Sequence, residues 1–555
     1  MSRFVASDWV MDKSGVSCAG GMVVAKQDLA AWAGARVLAE GGNAIDAAVT
    51  VGWVMAVMEP YNTSIAGAGY MLYRQADGTS WAIDYSNRAP SRATQDSLSS
   101  RTSVSFGGPL SAATPGTVAG LCFALERFGT ISLARSLEPA IQIADEGMPL
   151  NWLLTLRIVQ ELPGIRANPY TAAIFLTDGD PGMAYDEPVI RQTDLARTLR
   201  SIAEHGPDAF YRGSIAREFI VYVNGRGGIL DERDFATYGP TIVSPLRGRF
   251  REHDLLTVPV PASGVATLES LQLLDGFDIA GMGHNSPEAL HVMAEAFRLA
   301  FADRDAYLGD PDFVEPADIL LLTPEFTDRR RASIDPSTAM GAVLPGDIGR
   351  VPAGAVAGGG GTTHFCVMDA AGNLVSSTQT LIGGFSSIGV AGGTGVIVSG
   401  ALQWFDPRPN APNSVAPGKR PLTNMCPLIV ERDGRPVLAA GAPGSRRITN
   451  AVSPTTLNVL EFGMPVQEAI SAPRIDCSMD YILADDRISP ETLDTLRALG
   501  HRVEPVREFI NEGGPATGHR GNFARPAAIH IDEQGTRHGG DYPFVEGIAI
   551  GVLPD

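Results

Sequence analysis

The chain has 555 residues, 44% of them hydrophobic and 19% charged, which is enough apolar material for a sizeable folded core. Its formal net charge of −19 excludes a surface built to neutralise nucleic-acid phosphates. Five cysteines (18, 122, 366, 426 and 477), odd in number and without a Cys-x-x-Cys pair, exclude a disulfide framework and are expected as reduced, mostly buried thiols.

The first residues lack a basic region leading into an apolar run and a small-residue cleavage site, so a cytoplasmic protein without a secretory signal is expected. The most apolar segment, Ala47 to Met58, is too short to span a bilayer, and no membrane partner is expected. In chain order, Asp28 is expected to cap a helix with Leu29, Trp32, Ala33 and Val37 on its buried face, ended by Gly41-Gly42. Asn43 caps a second helix running towards Glu59-Pro60. Tyr70–Arg74 and Trp81–Tyr85, split by Asp77-Gly78, read as a hairpin. Further helices follow, for example Leu133–Glu146. Ser286-Pro287-Glu288 opens a helix whose stripe is Leu290, Met293, Ala294, Phe297 and Phe301. From Asp335 to Gly361 the pattern lapses into an exposed linker. Strands dominate after Thr362, followed by helices near Val466–Ala472 and Pro490–Leu499. No HExxH motif and no zinc-spaced Cys/His cluster occurs, so no metal and no cofactor are expected.

Residues 358–364 read Gly-Gly-Gly-Gly-Thr-Thr-His. A glycine run by itself reads as a flexible loop, and a phosphate loop would need Lys where Gly361 stands. The residues after it alternate as a strand to Met368, turn at Ala371-Gly372-Asn373 and return as a strand to Thr380. A threonine heading a hairpin behind a cuttable bond is what an N-terminal nucleophile hydrolase needs. Cleavage before Thr362 would give one residue both a nucleophilic Oγ and an α-amine base. His364 is the wrong partner for the flanking threonine, because adjacent strand residues point to opposite faces; a structural role is expected for it. Thr378 and Thr380 share a strand face, which fits either a site or two threonines on a wet sheet surface.

These segments resemble the γ-glutamyltransferases and the related cephalosporin acylase-type proenzymes. The resemblance runs through Gly41-Gly-Asn-Ala-Ile-Asp-Ala-Ala48, Thr114-Pro-Gly-Thr-Val-Ala-Gly120 and Glu295-Ala-Phe-Arg-Leu-Ala-Phe-Ala-Asp-Arg304 with Gly309-Asp-Pro311. It continues through Thr362-Thr-His364, Phe405-Asp-Pro407, Ala416-Pro-Gly-Lys-Arg-Pro421 and Ala442-Pro-Gly-Ser445. It implies an α+β fold, the four-layer αββα sandwich of N-terminal nucleophile hydrolases. It also implies a precursor cut between Gly361 and Thr362 into a large fragment (1–361) and a small fragment (362–555) that stay together as an intertwined heterodimer.

By the same resemblance Thr362 is the nucleophile, Thr380 orients its amino group, and the amides of Gly444 and Ser445 form an oxyanion hole. Substrate-binding positions fall on Arg88, Thr378, Ile382, Trp404, Thr423 and Asn424. Several depart from the γ-glutamyl pattern. The family's carboxylate-clasping arginine falls on Ser86, with Arg88 two residues on; its ammonium-binding aspartate falls on Trp404; its asparagine falls on Ile382; its Ser-Ser pair becomes Thr423-Asn424. The segment from Phe405 to Lys419 is short, which implies a reduced lid. Arg446 and Arg447 fit either an anionic substrate or salt bridges. The expected activity is hydrolysis of a small-molecule acyl amide through an acyl-enzyme on Thr362, with a γ-glutamyl-like or des-amino acyl group of glutaryl or oxamate type. The alternatives are a γ-glutamyl transferase or glutathione hydrolase, a biosynthetic relative cleaving an acyl C–C bond, and a non-catalytic scaffold.

Overall fold

The computed structural model describes residues 11–98, 108–182, 189–350, 361–386, 388–508 and 523–554. Two seven-stranded antiparallel sheets face one another. The first runs, in spatial order, Ile548–Val552, Gly21–Ala25, Thr362–Met368, Leu374–Thr380, Ala68–Arg74, Ser80–Asp84 and Thr241–Val243. The second runs Val16–Cys18, Arg537–Asp541, Ala527–Ile531, Arg435–Gly441, Leu428–Arg432, His253–Thr257 and Leu246–Phe250. Each sheet combines strands from both sides of Gly361, so neither stretch of chain completes a sheet alone.

The inner strands of the first sheet are buried on both faces, and their alternation sorts side chains between two cores. Val24, Leu72, Cys366 and Leu374 of the first sheet meet Leu256, Ile429, Ala439 and Ile529 of the second. Phe365, Val367 and Val375 point the other way, into the helical layer. That layer begins with α1 (Asp28–Ala39) and α2 (Ala44–Met58), packed together and against the first sheet. Every residue of α2 is buried, and the helix is apolar all round, as a fully enclosed helix must be. On the outer side of the second sheet, α3 (Gly264–Leu274) packs on α4 (Pro287–Tyr307), with the helices Thr449–Leu460 and Val466–Ser471 beside them. The order helix, sheet, sheet, helix is the αββα sandwich. Among the described residues no helix is long and apolar enough to cross a membrane.

Local signals hold at several helix starts. Asn43 and Asp46 form a reciprocal capping box on α2, and Ser286 caps α4 with Pro287 at its first position. The first helix differs from expectation. Gln27 occupies the cap position, Asp28 is already helical, and Trp32 is 59% exposed. Its buried face is small (Ala30, Ala31, Ala33, Gly34, Ala35 and Val37), because Gly34 must approach Val51 of α2 closely. All five cysteines are buried and free. Gly358, Gly359 and Gly360 lie outside the described residues.

Candidate active site

Thr362 begins its strand on the inter-sheet face, directly opposite Thr380; two residues on, His364 stands opposite Thr378. Thr362 Oγ lies 3.2 Å from Thr380 Oγ, and Thr380 Oγ donates to the carbonyl oxygen of Gly361. A hydroxyl carries one proton. With Thr380's proton on the carbonyl, the bond between the two hydroxyls is donated by Thr362. Thr362 is 3% exposed and Thr378 and Thr380 are fully buried, so this strand face is dry and not a wet sheet surface.

His364 shares this face, but its ring is taken up by its own neighbours. Its Nδ1 bonds Thr378 Oγ at 2.8 Å and its Nε2 meets Cys366 Sγ at 3.2 Å. Burial, then the nearby Lys26 ammonium, holds the imidazole pKa well below its ordinary value, so the ring stays neutral.

A turn after α2 presses on the residue before Thr362. A Cβ on Gly361 would stand 2.3 Å from the Tyr61 carbonyl oxygen and 3.0 Å from Asn62 Cα. Glu59 stiffens that turn, accepting from Tyr61 Oη at 3.2 Å and Asn62 Nδ2 at 3.1 Å, and the Asn62 carbonyl accepts from Leu381 N at 2.9 Å. Nothing in the sequence marked Tyr61 and Asn62; only chain folding brings them to Gly361.

Beside this centre lie the buried hydroxyls of Ser86, Tyr70 and Thr423, those of Ser86 and Thr423 flanking the Tyr70 phenol. Burial and Asp84 raise the Tyr70 phenol well above its ordinary value, while Arg420 and the flanking Ser86 and Thr423 hydroxyls act against them. The Arg88 guanidinium is half-buried 5.9 Å over the Tyr238 ring, whose hydroxyl donates to the Ser86 carbonyl at 2.8 Å. Ile382 and Trp404 lie in the inter-sheet core, 1% and 7% exposed. Ile382 has φ +63°, a left-handed backbone that a β-branched residue rarely takes and that stores strain at the end of the Thr380 strand. Two acids line the small cavity beside Trp404, and both are already bound: Asp406 by Arg408, and Asp305 by Arg304 and Arg446. The segment after Phe405 closes on itself, with Asn413 Nδ2 donating to the Trp404 carbonyl at 2.7 Å.

Gly444 and Ser445 make a sharp turn into a 3-10 helix, with φ +149° and +59°. A Cβ on Gly444 would lie 2.4 Å from Ala524 Cβ, so only glycine fits. Turns of this kind aim successive backbone N–H groups into one concavity, a ready seat for an oxyanion. The arginines that follow are committed to ion pairs: Arg446 with Asp305 at 2.8 Å and Arg447 with Asp476 at 3.5 Å. That favours the salt-bridge reading of both over the anion-binding one.

Among the described residues, one cluster has metal-ligand chemistry: His291, Glu295 and His501. His291 Nδ1 and His501 Nε2 are hydrogen-bonded at 2.7 Å, and Arg298 and Met340 N occupy the Glu295 carboxylate. Two imidazole nitrogens sharing a zinc ion at about 2.0–2.1 Å in a tetrahedron stand about 3.3 Å apart. The cluster is therefore closed by its own hydrogen bonds and does not fit an ion.

Two facing sheets between helical layers, with a threonine hydroxyl at a strand head, match the class of N-terminal nucleophile hydrolases. The sequence profile of the Gamma-glutamyltranspeptidase family matches residues 30–526, and the chain belongs to that family. It is 36% identical over 513 residues to the acylase ACY 1 proenzyme of Pseudomonas sp. (strain SE83), covering 90% of this chain and 89% of that one. It is 34% identical over 504 residues to the glutathione hydrolase proenzyme of Escherichia coli (strain K12), covering 87% and 86%. The crystal structure of cephalosporin acylase from Bacillus halodurans superposes with a TM-score of 0.89 at 26% identity, over 100% of both chains. The protein is thus an enzyme of a family that contains both acylases and glutathione hydrolases.

Proposed function

We propose that the chain cuts itself between Gly361 and Thr362 and then uses Thr362 to hydrolyse a small acyl amide. The observation that carries this reading is the hydroxyl pair over the Gly361 carbonyl. As Thr362 Oγ attacks that carbonyl carbon, its proton passes to Thr380 Oγ, and Thr380 passes its own to the developing oxyanion. Collapse passes that proton to the Thr362 nitrogen as the C–N bond breaks, which frees the α-amine and leaves an ester between Gly361 and Thr362 Oγ; water then hydrolyses the ester to a Gly361 carboxylate and the free Thr362 hydroxyl. That amine, with an ordinary pKa of about 7.7–8.0, then serves as base in turnover. Before the cut, Gly361 lies against the Tyr61–Asn62 turn and covers the nucleophile, so cleavage precedes activity. The two fragments, 1–361 and 362–555, remain together because each supplies strands to both sheets.

In turnover the Gly444 and Ser445 amides hold the tetrahedral oxyanion. The acyl group lies towards Trp404, Ile382, Thr423 and Asn424, with Arg88 near its far end. An indole offers one N–H and no acceptor, and both neighbouring carboxylates are bound to arginines, so an ammonium finds no charge partner here. A des-amino acyl group with oxygen acceptors suits the buried Tyr70, Ser86 and Thr423 hydroxyls. Water, and not a peptide, is the main acceptor, because the 405–419 loop is short. Intact mass and a denaturing gel test the first step: two fragments for the wild type, one chain for Thr362→Ala. A wild-type chain that stays whole on prolonged incubation would remove the mechanism.

A further inference from the structure

The oxyanion turn and the 423–424 wall both hang on the last full turn of α4, which lies on the other side of the proposed cut. Arg304 is buried and works in several directions. Its Nε donates to Ser263 Oγ at 2.6 Å, its Nη2 to the Thr423 carbonyl at 3.1 Å and Asn424 Oδ1 at 2.7 Å, and its Nη1 to Asp305 at 2.6 Å. Ser263 Oγ in turn donates to the same Thr423 carbonyl at 2.6 Å. Asp305 grips Arg446 with both oxygens, at 3.1 and 2.8 Å. Arg446 directly follows Ser445 and also lies 5.1 Å over the Phe301 ring of the same helix. An unbroken path of charge-assisted bonds therefore runs from Thr423-Asn424 through Arg304 and Asp305 to the oxyanion turn.

We infer that Arg304 and Asp305 are positioning residues that set the oxyanion turn 444–446 against the 423–424 wall without touching substrate. The inference rests on the hydrolase reading above. Ser445 holds a left-handed backbone that serine does not favour, so an outside restraint has to fix it, and a two-pronged carboxylate on the next side chain is a rigid one. The carboxyl stays ionised: burial raises its pKa, and Arg446 and Arg304 together outweigh that. Self-cleavage needs none of this, because Thr380 and not the 444–445 turn holds the Gly361 carbonyl. A residue that merely stabilised the fold would impair both reactions.

The test uses the full-length chain. Asp305→Asn is expected to cut itself as completely as wild type, yet lose kcat on an acyl p-nitroanilide by about tenfold or more with KM within about threefold, as for a misplaced transition-state contact. Arg446→Lys, which keeps the charge and loses the fork, should repeat that loss and guards against misfolding of the first variant. The double variant Asp305→Asn/Arg446→Gln separates positioning from charge neutralisation: it should stay slow, and recovery of wild-type kcat overturns the inference. Amide hydrogen exchange gives a readout independent of turnover, with faster exchange at 442–447 in Asp305→Asn and no change at 362–380. Unchanged exchange at 442–447 overturns the inference even if no anilide is hydrolysed. Faster exchange in a protein inert to every anilide counts against the hydrolase reading alone.

Discussion

Thr380 stands directly across the sheet from Thr362 and bonds both the Thr362 hydroxyl and the Gly361 carbonyl. In the proposed self-cleavage one side chain thus aligns the nucleophile and polarises its target. Replacing Thr380 by Val removes both contacts with little change in volume. Loss of a donor to a developing oxyanion costs about 10²–10³ in rate, and self-cleavage of Thr380→Val is expected to slow by about 100-fold. Thr380→Ser, which keeps the hydroxyl, should stay within about tenfold of wild type. Timed gels report both; wild-type cleavage by Thr380→Val contradicts the assigned role.

Gly361 is demanded by space. The Tyr61 carbonyl stands where a Cβ would lie, and Glu59 holds the turn that carries it. Gly361→Ala must displace the scissile carbonyl from Thr380, and a shift near 1 Å costs about 10²-fold. We expect cleavage at least about tenfold slower, with the strand pairing of the sheet intact by circular dichroism. An alanine variant cut as fast as wild type would show that the turn yields.

Substrate choice follows from Trp404 and its bound acids. A glutaryl p-nitroanilide should be hydrolysed at least as well as its γ-glutamyl counterpart, and glycylglycine should stimulate release weakly. A γ-glutamyl preference above tenfold, or ~1.4 kcal/mol of transition-state binding, would mean that another group pairs the ammonium. Strong stimulation by glycylglycine would identify a transferase.

Acid should unfold the protein partly through His501. Burial, then the neighbouring His291 and Arg298, lowers its pKa from 6.5 to about 4. The unfolded chain therefore takes up this proton first. The stabilisation is complete above pH 6.5 and is lost as the pH falls towards 4, by at most about 3 kcal/mol. Urea unfolding at pH 7 and pH 4.5 should show a smaller acid loss in His501→Gln than in wild type. Equal losses would assign the acid sensitivity to other groups.

Local chemistry along the sequence determined a good deal. The Asn43 box, the Ser286-Pro287 start and the Thr362-to-Thr380 hairpin depend on neighbours a few residues away, and all form as their residues dictate. Strand alternation alone put Thr378 and Thr380 on one face, and the family resemblance pointed to Gly444-Ser445; the strand pairing then set Thr362 opposite Thr380. Other features are long-range and had no local signal. Trp32 lies outward because Gly34 has to meet Val51, a demand set by the neighbouring helix. The threonine face is dry because a second sheet, built partly from the last thirty residues of the chain, lies over it. Which arginines were free for a substrate was equally invisible: Arg446 meets Asp305 and Arg447 meets Asp476 only after folding. Periodicity reports which face a side chain takes; only packing decides what waits there, because burial fixes the partner a charge or hydroxyl must find.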